Sequence, residues 1–249
     1  MRSLITYVYD NSFEGLLTAV YDAYYKENKP EEIIRNSMFL PNLIAEPIYI
    51  ETDIKKCDKV YAAIITKISK LSLQYIFKVY LSEIPNCDTL IYNYIKLGFK
   101  LGSLINNHQH NDTVLSINKI VKKVDKEAHN FLGFVRFINL GNNTYYSKIE
   151  PDHNILCLIS QHFADRLSDQ NWIIHDLKRN IASIFNTTEW LITDAKDLTL
   201  NISLIREDEG KYESLWRSYF KSACIENRIN PKLQKAHMPV RYWKNLIEK

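Results

Sequence analysis

The sequence lacks any long apolar run and contains few glycines and prolines. No hydrophobic segment approaches the ~18 residues that a membrane span needs, so we expect no transmembrane helix. The N-terminus continues into LITYVYD without the apolar core of a signal peptide, and we therefore expect a cytoplasmic protein. Six glycines and seven prolines among 249 residues argue against a low-complexity or disordered chain.

The four cysteines are scattered and form no CxxC pair. The spacing of Cys57, Cys87, Cys157 and Cys224 opposes a zinc ribbon and favours the reduced thiols of a cytosolic protein. The sequence also contains no P-loop, GxGxxG, GxSxG or protein-kinase motif. No histidine spacing matches a zinc motif such as HExxH, so we expect no cofactor and no tightly held metal.

The composition allows a sizeable hydrophobic core, since 46% of the residues are hydrophobic and 12% are aromatic. A chain of 249 residues can form one large domain or two small ones. We predict a single α+β domain over residues 1–249. A possible subdivision separates a mostly helical part, 1–128, from a part with a sheet, a C-terminal helix and a basic tail, 129–249.

Hydrophobic periodicity predicts a helix-rich first half. Leu4–Tyr9 and Pro47–Glu51 have the pattern of strands, and Glu31–Met38 has that of a short helix. Ser12 and Asp53 are placed to cap two helices, because their side chains can accept hydrogen bonds from free amides of a first turn. Further helices are predicted over Leu71–Ile84, over Asp88–Ile105 and from Val114 to Val124.

The second half has the pattern of an antiparallel sheet with a helix packed on one face. Phe131–Leu140 and Thr144–Ile149 flank a Gly-Asn-Asn turn, and a helix with Leu156, Ile159 and Phe163 on its buried stripe follows. The remaining predicted elements are strands at Trp172–His175, Ile181–Asn186 and Trp190–Thr193, a helix at Asp208–Asn227 with Trp216 on its apolar side, and an irregular tail.

Acidic and histidine side chains concentrate between Glu150 and Arg179. The candidate catalytic residues are Glu150, Asp152, His153, His162, His175 and Asp176. Imidazole and carboxylate groups can activate water or ligate a metal. The structural alternative is that Asp152 or Asn154 caps a helix, that His162 lies at the edge of the core and that Asp176 shapes a turn. For a metal-free polar site both interpretations remain open.

The C-terminal region is basic and aromatic. Between Lys211 and Lys249 there are nine Lys or Arg residues and three Glu residues. Cations neutralise phosphates, and aromatic rings can stack on bases. The candidate nucleic-acid-binding residues are Arg166, Lys178, Arg179, Lys221, Arg228, Lys232, Lys235, Arg241, Trp243 and Lys244. The alternative is that Tyr242 and Trp243 attach the C-terminus to the domain.

Several long segments carry a resemblance to a known family. They are YDNSFEGLLTAVYDAY, EAHNFLGFVRF, IEPDHN, HFADR, WIIHD and LWRSYFKSACIENRINPKLQKAHMPVRYWKNL. They resemble a bacterial family of DNA-metabolism proteins with a domain of unknown function. Its members are encoded beside a radical-SAM DNA modification or repair protein, and some are fused to a uracil-DNA-glycosylase-family domain.

This resemblance implies a context of DNA repair or modification but transfers no catalytic residue. The chain has no CxxxCxxC motif for a radical-SAM cluster, so the resemblance implies that it is the partner of that enzyme. We therefore expect a DNA-metabolism protein that binds DNA and acts with a radical-SAM protein. The alternatives are a hydrolase or glycosylase-like enzyme acting on a nucleotide or base, and a protein-interaction subunit without nucleic-acid contact.

Overall fold

Residues 4–41, 45–195, 214–219, 222 and 230–246 are described by the structure, which is a computed structural model. The chain forms two units, Met1–Val124 and Asp125–Lys249. The predicted α+β class is confirmed: the first half is mainly helical, and the second half contains a five-stranded sheet. Among the described residues, no helix is long and apolar enough to cross a membrane.

A three-stranded parallel sheet lies in the first unit. Its strands are β1 (Leu4–Tyr9), β2 (Glu32–Arg35) and β3 (Ala45–Ile50), in the order β2-β1-β3. Helix α1 (Phe13–Tyr25) connects β1 to β2, because parallel neighbours require a crossover. The prediction of a short helix over Glu31–Met38 is wrong. Pairing with β1 makes its first part a strand, and only Asn36–Met38 form a 3₁₀ helix, η1.

The other elements of the first unit are helical. They are α2 (Ile54–Lys67), α3 (Lys70–Leu81), α4 (Cys87–Leu101), the 3₁₀ helix η2 (Gly102–Asn107) and the first part of α5 (Asp112–Phe134). Both predicted caps are confirmed. The Ser12 hydroxyl accepts the Gly15 amide at 2.8 Å, and the Asp53 carboxylate accepts the Lys55 amide at 2.9 Å.

Helix α5 continues into the second unit further than expected. The β-rich interpretation of Phe131–Leu140 is wrong over its first part, since α5 ends only at Phe134. The helix extends this far because its buried apolar stripe continues. Val124 and Phe131 are two helical turns apart and are 0% and 3% exposed.

The second unit contains a mixed five-stranded sheet. Its strands, in spatial and chain order, are β4 (Ile138–Asn139), β5 (Thr144–Ile149), β6 (Asn171–Asp176), β7 (Ile181–Phe185) and β8 (Trp190–Asp194). The sheet is not antiparallel throughout, because β5 and β6 are parallel. Helix α6 (Leu156–Arg166) forms the crossover that returns the chain to the start of β6.

One face of this sheet is covered by α6. Leu156, Ile159 and Phe163 are buried as predicted. The Ser160 hydroxyl of α6 donates to the Ser183 hydroxyl of β7 at 2.7 Å. Ser183 is the register partner of Ile174, so Ile174 of β6 lies on the α6 face as well.

The C-terminal part is more regular than predicted. Of the helix expected over Asp208–Asn227, residues 214–219 and 222 are helical, and the other residues lie outside the described part of the chain. Trp216, expected in the core, is 40% exposed. The tail, which was expected to be irregular, forms α7 (Pro231–His237) and a 3₁₀ helix, η3 (Val240–Asn245). Helix α7 is capped by the Asn230 side chain, which accepts a hydrogen bond from the Leu233 amide.

Candidate functional site

A four-residue loop, Glu150–His153, follows strand β5. Its backbone is held by Glu127 of α5, which is only 6% exposed. The amide of Asp152 donates to Glu127 Oε1 at 2.7 Å, and the amide of His153 donates to Glu127 Oε2 at 2.9 Å. Both carboxylate oxygens of Glu127 therefore determine the conformation of the 150–153 loop.

Tyr242 attaches the C-terminal segment to the same glutamate. Its hydroxyl donates to Glu127 Oε1 and lies 3.4 Å from Asp152 Oδ2. Its ring packs edge-on against Phe131, with centroids 5.0 Å apart, and is 4% exposed. Burial, together with the hydrogen bond to Glu127, raises the pKa of Tyr242. The phenol therefore stays protonated and remains a donor at physiological pH.

Two ion pairs connect the 150–153 loop with η3. Arg241 Nη2 lies 2.7 Å from Asp152 Oδ2, and Lys244 Nζ lies 2.5 Å from Glu150 Oε2. More than half of each cationic side chain is exposed. Such exposed pairs contribute roughly 0–1 kcal/mol each to stability. The contacts join two candidate catalytic carboxylates to two candidate nucleic-acid-binding cations.

Asp176 and Arg179 support the loop from the end of β6. Asp176 is 0% exposed, and its Oδ2 lies 2.8 Å from Arg179 Nη1. Arg179 Nη2 donates to the Asp152 carbonyl at 2.8 Å, and Nη1 donates to the Pro151 carbonyl at 3.2 Å. Burial raises the pKa of Asp176, although the charge of Arg179 opposes the shift. The Arg179 side chain is 8% exposed, so little of it is accessible to a phosphate.

His175 lies on the other face of the sheet from Asp176, because successive side chains of a strand alternate. Its Nδ1 is 3.1 Å from the hydroxyl oxygen of Tyr146, and its buried Nε2 has no hydrogen-bond partner. Burial lowers the pKa of His175, and the nearby Asp176 charge opposes the shift. His175 and Asp176, adjacent in the sequence, are therefore not directed into one pocket.

His162 lies on α6, where its ring meets the edge of Phe163 with centroids 5.2 Å apart. Its Nε2 is buried without a partner. The described contacts of His162 and His175 are with Phe163 and with Tyr146, outside the 150–153 loop. The structure thus brings Glu150, Asp152, His153 and Asp176 to the loop and leaves two of the candidate histidines elsewhere.

The prediction that Asp152 or Asn154 caps α6 is wrong. The helix begins at Leu156 with Ile155 at the N-cap position and without a side-chain hydrogen bond. Asp152 pairs with Arg241, and the loop amides are taken by Glu127. Within the described ranges, no three His, Cys, Asp or Glu side chains are grouped as metal ligands.

The candidate nucleic-acid-binding residues occupy three environments. Arg166, Lys232 and Lys235 are exposed, whereas Lys178, Arg179, Arg241 and Lys244 contact the 150–153 loop, Lys178 through its Nζ and the Asp152 carbonyl at 3.1 Å. Trp243 is half-buried, and its Nε1 donates to the Met238 carbonyl at 2.8 Å. Lys221 and Arg228 lie outside the described residues.

Glu127 was missed by the sequence analysis, although the sequence contains a signal for it. It lies between Val124 and Phe131 at helical spacing, so a carboxylate interrupts an otherwise apolar stripe. A charged group on a buried stripe needs polar partners, because an unpaired buried carboxylate is strongly unfavourable. Tyr242 attaches the C-terminal segment to its unit, as the structural alternative for the tail predicted.

A family model described as "Domain of unknown function (DUF4130)" matches residues 85–248. The match includes α4, α5 and nearly the whole second unit, and it leaves strands β1–β3 outside. No curated protein matches this chain, and no solved structure matches it.

Proposed function

The chain belongs to the family with the domain of unknown function DUF4130, and we propose that it is a DNA-metabolism protein that binds DNA. One observation carries the proposal. Residues 230–246 contain Lys232, Lys235, Arg241 and Lys244 and no Asp or Glu. A segment with this charge favours phosphate contacts, because each neutralised phosphate releases condensed counterions.

The anchoring of this segment supports the proposal. Tyr242 and Leu246 are each 4% exposed and hold η3 against the second unit. Lys232 and Lys235 lie on the exposed surface of α7. Cations displayed by an anchored segment lose less conformational freedom on binding than cations in an unstructured tail. Lys232 and Lys235 are therefore the residues that we expect to make the first phosphate contacts.

The carboxylates of the 150–153 loop would limit the contribution of η3 to DNA binding. Asp152 and Glu150 neutralise Arg241 and Lys244 in the free protein. Their pairs are exposed and weak, so a phosphate can replace the carboxylates at small cost. Arg241 and Lys244 are therefore secondary contacts that compete with an internal acidic partner.

The radical-SAM partner belongs to this proposal on the strength of the family resemblance. The resemblance associates this type of chain with a radical-SAM DNA modification or repair protein, and the chain itself has no CxxxCxxC motif. In this arrangement the partner performs the radical chemistry and the present chain contributes DNA binding. Co-purification of the two full-length proteins after co-expression tests the association, and separate elution of the two proteins would contradict it.

A hydrolase or glycosylase-like activity is the second candidate. The observation that favours it is that two solvent-accessible carboxylates lie in one loop, since the Asp152 and Glu150 side chains are 49% and 29% exposed. Carboxylates in such positions can act as general bases towards water. Release of a base or phosphate from DNA by the intact protein, and its loss in the Asp152→Asn variant, would support this activity.

DNA binding is tested by fluorescence anisotropy with labelled single- and double-stranded DNA at two salt concentrations. The Lys232→Gln/Lys235→Gln variant should bind more weakly than the unaltered protein and should show a flatter dependence on salt. The matched control is Lys122→Gln/Lys123→Gln, which removes the same charge from the exposed side of α5. Absence of binding at low salt by the intact protein would contradict the proposal and favour an interaction subunit without nucleic-acid contact.

A further inference from the structure

An aromatic and basic cavity lies between α1 and α2 in the first unit. Its volume is about 300 Å³. Tyr21, Tyr24 and Tyr25 of α1 line one wall, Lys59 and Lys67 of α2 line the other, and Phe99 of α4 completes it. This cavity shares no residue with the 150–153 loop or with the C-terminal segment, and the proposed DNA contact does not explain it.

The aromatic side chains of the cavity form one connected group. The Tyr21 and Tyr25 centroids are 4.5 Å apart, those of Tyr25 and Tyr24 are 5.4 Å apart, and Tyr24 meets Phe99 edge-on at 6.1 Å. Tyr24 and Tyr25 are nevertheless 58% and 69% exposed. Single exposed tyrosines are common on protein surfaces, whereas a group of aromatic rings around a cavity is typical of a binding site.

The charge of the cavity indicates the sign of its ligand. Lys59 and Lys67 are the charged side chains of its described lining. The neighbouring carboxylate of Asp22 is paired with both Lys56 and Lys26, at 2.8 and 2.6 Å. Two lysines disfavour a quaternary ammonium ligand, although aromatic rings alone would suit it. An anion that also carries a flat ring fits both walls.

We propose that this cavity binds a nucleotide, with its base stacked on Tyr24 and Tyr25 and its phosphate near Lys59 and Lys67. The volume is at the lower end of the roughly 300–1,000 Å³ of small-ligand sites, so one nucleotide fits and a duplex does not. Stacking on tyrosine tolerates any base. The nucleotide is either free or part of a single strand, and both sources present the same ring and phosphate.

The test measures binding of deoxyadenosine monophosphate, deoxyadenosine and a short single-stranded oligodeoxyadenylate to the full chain by isothermal titration calorimetry. Tyr24→Ala and Tyr25→Ala should each weaken binding by roughly 5- to 150-fold, which is the range for loss of one base–aromatic stack. Lys59→Gln/Lys67→Gln should weaken binding of the monophosphate but not of the nucleoside. Binding of the monophosphate identifies a free nucleotide as sufficient, and binding of the oligonucleotide alone identifies a single strand as the source.

Matched controls separate the cavity from its surroundings. Tyr61→Ala removes a 45% exposed tyrosine of α2, and Lys55→Gln removes an exposed lysine of the same helix, both outside the cavity lining. Both controls should bind like the unaltered protein, and the melting temperatures should confirm that all variants fold. Lys232→Gln/Lys235→Gln should retain monophosphate binding, so failure of the DNA proposal and failure of this inference are distinguishable. The inference is overturned if neither nucleotide probe binds or if the Tyr24 and Lys59/Lys67 variants bind them normally.

Discussion

Tyr242 and Glu127 are 115 residues apart in the sequence and are joined by a hydrogen bond between a buried hydroxyl and a buried carboxylate. The same carboxylate accepts the amides of Asp152 and His153. Glu127 thus connects helix α5, the 150–153 loop and the C-terminal segment within the second unit. Together with the ion pairs of Arg241 and Lys244, this side chain holds the basic segment beside the acidic loop.

Replacement of Tyr242 by Phe should destabilise the second unit. The ring and its packing against Phe131 remain, but Glu127 loses a donor. A hydrogen bond to a charged group is worth about 1.5–3 kcal/mol, so the free energy of unfolding should fall by that amount. Urea denaturation provides the measurement, with Tyr219→Phe, which changes a 62% exposed tyrosine of the same unit, as the control. Equal midpoints for the two variants would show that the hydroxyl does not stabilise the fold.

Neutralising the acidic loop should strengthen DNA binding. Glu150→Gln/Asp152→Asn releases Lys244 and Arg241 from their carboxylate partners and removes two charges that repel phosphate. Anisotropy should show tighter binding and a steeper dependence on salt, since more cations reach the backbone. The control variant Asp165→Asn/Asp169→Asn removes two exposed acidic charges elsewhere in this unit. If the loop instead performs catalysis on DNA, binding will stay unchanged while turnover is lost.

His175 should make the stability of the protein depend on pH. Its pKa is lowered from 6.5 by burial, so the folded state binds the proton less readily than the unfolded state. The stability that neutral His175 contributes is fully present above the pKa of the unfolded state. It is lost as the pH falls through about 6.5 towards the lowered pKa of the folded state. The melting temperature of the unaltered protein should therefore fall over this range.

The His175→Gln variant isolates this dependence. Its melting temperature should fall less between pH 7 and about pH 5, because glutamine does not bind the proton. His129→Gln replaces an exposed histidine and should keep the slope of the unaltered protein. Parallel curves for His175→Gln and the unaltered protein would mean that another group causes the acid sensitivity.

The first unit should depend on the buried ion pair between Arg35 and Asp88. The Nη2–Oδ1 distance is 2.7 Å, and the two side chains are 5% and 4% exposed. Asp88→Asn leaves the guanidinium buried without its counter-charge, and breaking such a pair costs about 3–5 kcal/mol. Thermal denaturation followed by circular dichroism should show a large loss of stability. Asp58→Asn, at an exposed position of α2, should melt like the unaltered protein.

Local sequence patterns were sufficient to predict most elements. The stripe of α6 and the caps at Ser12 and Asp53 depend on side chains and amides within a few residues of one another, so they can be identified in the sequence. The strands over Thr144–Ile149 and Trp172–His175 were predicted for the same reason. The concentration of cations after Lys211 is also a property of the sequence alone.

The remaining features depend on contacts between distant segments. Residues 32–35 form a strand because β1 offers free amides and carbonyls to them, and β5 pairs with β6 in parallel because α6 returns the chain. Which face of the sheet each of His175 and Asp176 occupies depends on the register of β6, since a shift of one residue would exchange their faces. Glu127 and Tyr242 come into contact only after α5 and η3 have packed. The sequence therefore determined the separate elements and the chemical groups of the site. Tertiary packing determined which of these groups are in contact.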